Sequence, residues 1–333
     1  MLFSFVLPAY KAKYLSSAIE SILSQTYKEF ELIIVNDASP ENLDSIVNSY
    51  QDTRICYYKN QENIGRKDLV KQWNHCINYA KGEYIILASD DDVYTSNFLS
   101  TFIPLIKKYT QVNVFRARSL DIDGKDKICG TDDYYNEYLN PNEFKYLWFS
   151  GKIKWSIANY IFNRRVLINN GGFINFPLGW GSDSATILLM ANNGLVSSND
   201  YLFMFRYSGI NISSKNDGKF LKKKLQARMK ECQWREEHQN IQINNSLDQF
   251  YQDTIILRQK GYVYNSIYHI LDQMNFPTFL SSIKDILSYN LIKKNKRYSI
   301  IFMILGKFIK QPFIYLKGCI NYTIKRICEL IKS

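Results

Sequence analysis

Tyr84-Ile85-Ile86-Leu87-Ala88-Ser89-Asp90-Asp91-Asp92 is the stretch on which the reading of this chain turns. A short apolar run that follows Gly82 and stops abruptly at polar residues reads as a strand buried on both faces, the kind found in parallel sheets. Three adjacent carboxylates repel one another and cannot all be buried unless a cation neutralises them. Hard divalent ions such as Mg²⁺ or Mn²⁺ take such oxygens, usually one or two carboxylates with substrate phosphates completing the shell. The alternative is a solvated acidic turn, the commoner outcome for three aspartates in isolation.

Upstream, the same kind of strand recurs. Phe3–Leu7 is apolar and ends at Pro8, and Phe30–Val35 ends in Asn36-Asp37-Ala38-Ser39-Pro40. Ile55–Tyr58 reads as a third strand. Between them lie helical stretches: Tyr14–Gln25, with Leu15, Ala18, Ile19, Ile22 and Leu23 on one face, then Glu41–Ser49 and Leu69–Ala80. Strands alternating with helices at this spacing predict an α/β fold with a doubly wound, mostly parallel sheet. Ligands in such sheets sit beyond the carboxyl ends of the strands, so Pro8-Ala9-Tyr10, Asp37 and Asp90–Asp92 fall on one edge. A carboxylate ending an apolar strand about thirty residues into the chain, as Asp37 does, is also placed like the ribose- or base-binding acid of nucleotide folds; a turn or cap is its ordinary alternative.

Downstream of Val112–Arg116 the pattern loosens. Segment 119–160 reads as loops with a short helix around Glu143–Trp148, Asn159–Asn163 as a further strand, and Ser184–Ala191 as a helix. From Lys219 onward the chain turns into long helical stretches, which places a boundary near 215: a catalytic domain over 1–215 and a helical, basic region over 216–333.

Composition narrows the class. In 333 residues, 46% hydrophobic content is ample for a core. The start carries no basic segment and no small-residue cleavage site, so it reads as a first strand rather than a secretory signal. The six cysteines (56, 76, 129, 232, 319, 328) and three histidines (75, 238, 269) show no zinc spacing, so reduced thiols are expected. Neither a dinucleotide fingerprint nor a phosphate-binding P-loop occurs. The formal net charge of +11 is concentrated at one end: residues 290–333 hold ten Lys/Arg against Glu329 alone. Apolar residues mixed with bases over Leu291–Arg297, Lys307–Lys317 and Ile320–Lys332 suit an anionic membrane surface. A basic helical hairpin packed on the catalytic domain is the alternative. No nucleic-acid motif accompanies the charge, so no nucleic-acid partner is expected.

Taken in order, Phe5-Val6-Leu7-Pro8-Ala9-Tyr10, Ser21–Tyr27, Phe30–Ser39, Asn63-Ile64-Gly65, Ala80–Ile85, the acidic turn, Gly171-Gly172-Phe173 and Trp180-Gly181-Ser182-Asp183 resemble glycosyltransferase family two, of the GT-A fold, over about residues 1–213. The resemblance implies that Pro8, Ala9 and Tyr10 line the nucleotide-base pocket and that Asp37 binds the uracil or ribose. The family's acidic motif usually reads Asp-x-Asp-Asp, and here Ser89 stands at its first position. Asp91 is then the metal ligand, with Asp90 near the ribose and Asp92 supporting the ion. Asp183 falls where the family keeps its general base, although a cap on the following helix would suit its position equally well. Trp155 and Trp180 are candidates for stacking on acceptor sugars, buried core positions being the alternative, and Tyr207–Ser213 resembles a loop closing over the donor.

The expected activity is an inverting hexosyl- or N-acetylhexosaminyl-transfer from a UDP-sugar to a glycan or lipid-linked glycan in bacterial surface-polysaccharide synthesis. It would depend on Mn²⁺ or Mg²⁺ and take place in the cytoplasm, with peripheral attachment to the inner face of the membrane. One carboxylate taking a proton and one cation taking the leaving charge imply a single displacement. The alternatives are a sugar-nucleotide nucleotidylyltransferase, which would want a Gly-rich loop where Pro8-Ala9-Tyr10-Lys11 stands, and a catalytically degenerate, membrane-attached nucleotide-sugar-binding domain.

Overall fold

Apolar runs at period two and helical runs at period 3.6 alternate through the first half of the chain, and the elements follow that pattern. The computed structural model describes residues 1–154, 156–207 and 217–310. In chain order these form β1 (Phe3–Ala9), α1 (Leu15–Leu23), β2 (Phe30–Asn36), α2 (Leu43–Val47), β3 (Ile55–Lys59), α3 (Leu69–Cys76) and β4 (Tyr84–Leu87). After the acidic turn come β5 (Val93–Tyr94), α4 (Phe98–Lys108), β6 (Val114–Ile122), β7 (Ile128–Thr131), β8 (Tyr138–Leu139), α5 (Pro141–Phe149), β9 (Tyr160–Asn163), α6 (Arg164–Asn169), α7 (Ser182–Met190) and β10 (Leu195–Arg206). Four helices follow: α8 (Gly218–Glu237), α9 (Ser246–Asp272), α10 (Phe276–Ser288) and α11 (Lys294–Lys310).

The strands make one mixed sheet in the order β3-β2-β1-β4-β9-β6-β10-β5, with β7 beside β6 and β8 beside β10. Pairing is parallel from β3 through β4 and between β6 and β10, and antiparallel on both sides of β9. The alternation within β1 shows why it lies at the centre. Phe3, Phe5, Leu7 and Ala9 pack on one face with α1, α2 and α4, while Val6 faces the other, among α3, α5, α6 and α7.

Two features depart from expectation. β6 runs on to Ile122 instead of ending at Arg116, and β10 is a long strand through a segment in which no strand is expected. Its two apolar ends are separated by Ser197-Ser198-Asn199-Asp200, where the register against β6 shifts between Ser197 and Phe203. A bulge removes the alternation that would advertise the strand.

The helical region has its own core, in which Ile267 and Leu271 of α9, Phe279 and Ile286 of α10 and Ile300, Ile301, Ile304 and Leu305 of α11 are buried. The Ile300–Leu305 run of the basic tail therefore faces inward, because α9 and α10 offer it an apolar surface. Among the described residues no helix is long and apolar enough to cross a membrane. The rest of the basic tail, 311–333, lies outside the described residues. The region also docks on the sheet domain: Tyr146 of α5 stacks on Tyr251 at 4.6 Å, and Asn142 Nδ2 donates to Asp248 Oδ1 at 2.8 Å. Ile304→Ala should lower unfolding stability by about 2–5 kcal/mol, the usual range for truncating a buried isoleucine. Urea denaturation measures it, and an unchanged midpoint would show that α11 adds nothing to the core.

Candidate active site

The strand ends on the expected edge hold the acidic turn in three different ways. Asp90 Oδ2 accepts the backbone N–H groups of Tyr10 (3.0 Å) and Lys11 (2.8 Å), tying the turn to the end of β1. Burial pushes its pKa up, against the Lys11 charge and those two N–H groups. Asp92 Oδ1 accepts the backbone N–H of Arg206 at 2.9 Å, which fastens the turn to the end of β10. Burial, aided by the neighbouring Asp91 charge, pushes the Asp92 carboxyl well above the ordinary range. Asp91 is different. Its Oδ1 accepts from Ser89 Oγ, but its buried Oδ2 has no hydrogen-bond partner and only the Lys11 ammonium, 3.6 Å away, for company. A buried anionic oxygen without a donor fits a cation, and hard carboxylate oxygen fits Mg²⁺ or Mn²⁺. Among the described residues no group of three or more His, Cys, Asp and Glu is arranged to hold a metal by itself.

Asp37, at the end of β2, is buried and fully engaged. Its Oδ1 accepts from Asn60 Nδ2 (2.7 Å) and the Ile64 N–H (2.8 Å), and its Oδ2 from the Gly65 N–H (2.7 Å). A Cβ on residue 65 would stand 2.8 Å from that oxygen, so the approach requires glycine. The carboxylate therefore shapes the loop that leads into α3. From there α3 reaches the segment before α7. Asn74 Oδ1 accepts the Phe173 N–H at 2.7 Å, Asn74 Nδ2 donates to the Phe173 carbonyl, and Asn175 Nδ2 donates to Asp68.

That segment carries Asp183. The helix begins at Ser182, two residues earlier than the sequence suggests, and Gly181, at φ +85°, occupies the cap position. Asp183 is thus in the first turn and is not the N-cap; its Oδ1 accepts the adjacent Ser184 N–H at 2.7 Å. Burial pushes its pKa up to about 6, the Ser184 N–H opposing and the nearby Glu231 charge adding to the rise. Trp180, half-buried, has Lys224 Nζ at 4.6 Å over its ring, so a cation covers one of the faces expected to receive sugar. Trp155 and Ser208–Ser213 lie outside the described residues.

Pro8 and Ala9 end β1, and Tyr10 is exposed beside them. A cavity of about 620 Å³ near Asn142, Lys145, Leu188, His238 and Asp248 includes none of these site residues. Sequence reasoning misses Lys11, Arg206 and Glu231. Buried Arg206 donates from Nε to the Asp91 carbonyl at 2.7 Å, pairs with Asp126 and lies over the Tyr14 ring at 4.4 Å. Lys11 adjoins the family-like Pro8-Ala9-Tyr10 and was within reach of motif reasoning; Arg206 and Glu231 carry no local signal.

Residues 4–167 match the profile described as glycosyl transferase family 2. The chain carries a family 2 glycosyltransferase domain. Curated relatives include the uncharacterized glycosyltransferase RT0329 of Rickettsia typhi, 39% identical over 114 residues, which are 34% of each chain. GlyG of Streptococcus pneumoniae is 37% identical over 110 residues, 32% of this chain and 36% of its own. The match thus spans about a third of the length of these relatives. The fold of the glycosyltransferase domain and its helices is similar to TarS 1–349 of S. aureus, solved with UDP-GlcNAc, at a TM-score of 0.63 and 15% identity over 93% of this chain and 92% of that one. The mannosyltransferase PcManGT of Pyrobaculum calidifontis, solved with GDP-Man and Mn²⁺, aligns at a TM-score of 0.52 and 14% identity, over 93% and 88%. The mixed, mostly parallel GT-A sheet is the shared feature.

The orphaned Asp91 oxygen generates a direct test. Asp91→Asn keeps the Ser89 contact and relieves carboxylate repulsion, so thermal stability should hold or rise. Binding of Mn²⁺, followed by the loss of its free-ion electron paramagnetic signal in the presence of UDP, should fall to background. Undiminished binding would remove Asp91 from the metal assignment.

Proposed function

We propose that this protein transfers a sugar from a UDP-sugar to a hydroxyl of a glycan or lipid-linked glycan with inversion at the anomeric carbon. The single observation that carries the reading is the division of labour among carboxylates. One buried turn has a carboxylate oxygen with no hydrogen-bond donor, facing only the Lys11 ammonium at 3.6 Å and suited to a cation, and a separate carboxylate with a pKa of about 6 stands at the start of α7. The relatives and fold neighbours support it, since TarS and PcManGT were solved with nucleotide sugars and the latter with Mn²⁺. Mn²⁺ or Mg²⁺ would be held by Asp91 and would supply positive charge to the leaving diphosphate. Pro8, Ala9 and Tyr10 would border the base. Asp37 would act by holding the Ile64–Gly65 loop against the nucleotide, since its own oxygens are engaged. Asp90 and Asp92 would fix the turn.

In the chemical step the acceptor oxygen forms a bond to the anomeric carbon while its proton passes to the Asp183 carboxylate. The bond from that carbon to the diphosphate oxygen breaks, and its electron pair leaves on the diphosphate. A base must be ionised to accept the proton, so with a pKa of about 6 transfer should be full above neutrality and fall as pH drops through 6. Because burial raises this acid's pKa, the folded state favours the neutral form. Ionisation therefore costs stability above the ordinary carboxylate range, and Asp183→Asn should be at least as stable as the parent at pH 7. The same variant should lower kcat by about 10²–10⁴-fold with UDP affinity little changed. Near-normal transfer by this variant, or a product of retained anomeric configuration, would overturn the mechanism. Formation or consumption of UTP would point to nucleotidyl transfer instead.

We further assign the basic C-terminal residues, outside the described part of the chain beyond 310, to an anionic lipid surface, on the ground of their charge alone. Removing 311–333, and leaving α11 in place, should abolish co-sedimentation with phosphatidylglycerol vesicles at physiological salt while transfer to a soluble acceptor continues. Retained co-sedimentation would reject the assignment.

A further inference from the structure

The helical region holds a buried ionic cluster that faces the turn carrying Asp183. Glu231, on α8, is 2% exposed. Its Oε1 accepts the Tyr262 hydroxyl at 2.9 Å, its Oε2 pairs with Arg228, and Arg235 lies 3.8 Å away on the next helical turn. Arg235 is itself sandwiched over Trp148 (4.1 Å) and Tyr262 (3.9 Å), and the Trp148 indole donates to the Ser184 carbonyl at 3.0 Å. The cluster is therefore locked to the first turn of α7 from two sides.

Gly181 shows how close the approach is. A Cβ there would meet Glu231 Cδ at 2.8 Å and Oε2 at 2.9 Å, in a backbone conformation that already favours glycine. The residue two positions before Asp183 is thus bare because a carboxylate from α8 lies against it. A buried carboxylate costs free energy unless its pairs are complete. Here it is paired on one side by Arg228 and Tyr262 and lies on the other against Gly181, two residues before Asp183.

We infer that Glu231 is a positioning residue for Asp183, so that α8 and α9 are part of the catalytic site rather than an appended region. This rests on the reading of Asp183 as the base. Glu231 fixes the 177–181 turn and adds negative charge beside Asp183, keeping its carboxyl basic enough to take a proton near neutral pH. The charged groups facing Asp183 are Glu231 and Arg228, both on α8. From α3, the side chains that meet Gly179 are Leu69, Val70 and Trp73, and Asp68 is engaged by Asn175 and by the cap of α3.

The test is the pH profile of sugar transfer by the full chain, compared between parent, Glu231→Gln, Glu231→Asp and Asp183→Asn, with UDP affinity measured alongside. Glu231→Gln keeps the size and an acceptor for Tyr262 but removes the charge. Its acid limb should move to lower pH by about one unit, and kcat near neutrality should fall several-fold, about three- to tenfold, with UDP affinity unchanged. Glu231→Asp keeps the charge and shortens the reach, so its acid limb should stay while kcat falls. This second variant also serves if the glutamine form does not fold. A folded Glu231→Gln with the parental profile and kcat would overturn the proposal, as would a Glu231→Asp form with parental kcat. Loss of transfer in Asp183→Asn beside an unmoved Glu231→Gln profile would reject the role of Glu231 and leave the base intact. Full transfer by Asp183→Asn would reject the base, and this role with it.

Discussion

Mutual repulsion of three consecutive carboxylates at the end of a buried strand is the constraint around which the rest of this structure is arranged. Asp90, Asp91 and Asp92 cannot share one partner, and the fold provides each with its own. Asp90 takes two N–H groups from the end of β1, Asp92 takes one from the end of β10, and Asp91 keeps one oxygen free beside Lys11. Because the first two anchors come from strands far apart in the sheet order, the turn also ties the two parallel halves of the sheet together across β9. The three residues therefore divide their contacts: two carboxylates hold the turn, and one keeps an oxygen without a hydrogen-bond donor.

From the turn outward, each side chain that matters is held by a neighbour from a different element. Asp37 shapes the loop into α3, α3 holds the 172–175 segment through Asn74 and Asp68, and that segment leads into the turn before Asp183. On the far side Glu231, held by Arg228 of α8 and Tyr262 of α9, lies against the same turn. Asp183 is thereby gripped between the carboxyl edge of the sheet and the helical region. Its raised pKa follows from that enclosure, since burial disfavours the ionised form and a buried neighbouring charge disfavours it further. The same packing explains why Trp180 is not an open platform: the helix that supplies Glu231 also lays Lys224 over its ring.

Much of the first two hundred residues is legible without coordinates, because short apolar strands and amphipathic helices announce themselves by their periods. The strands β1 to β4, the helix at 141–149 and the acidic edge all fall where patterns place them. What escapes is what depends on irregularity or distance. β10 is hidden because a bulge interrupts its alternation, and α7 starts early because a glycine in the left-handed region opens it. The basic tail looks like one surface by charge, yet Ile300, Ile301, Ile304 and Leu305 turn inward once α9 and α10 supply an apolar face.

By itself, then, the sequence determined the fold class and the strand-end carboxylates, and it singled out Asp183 as a candidate. Those features are written in local periodicity and in short motifs, which any folded version of the chain must respect. Only the tertiary structure decided which oxygen of the acidic turn is left free, that Asp37 holds a loop with both of its oxygens, and that Glu231 lies against Gly181. Each of these is a contact between residues tens to more than a hundred positions apart. Such contacts arise when helices and strands close on one another, and no spacing rule along the chain records them.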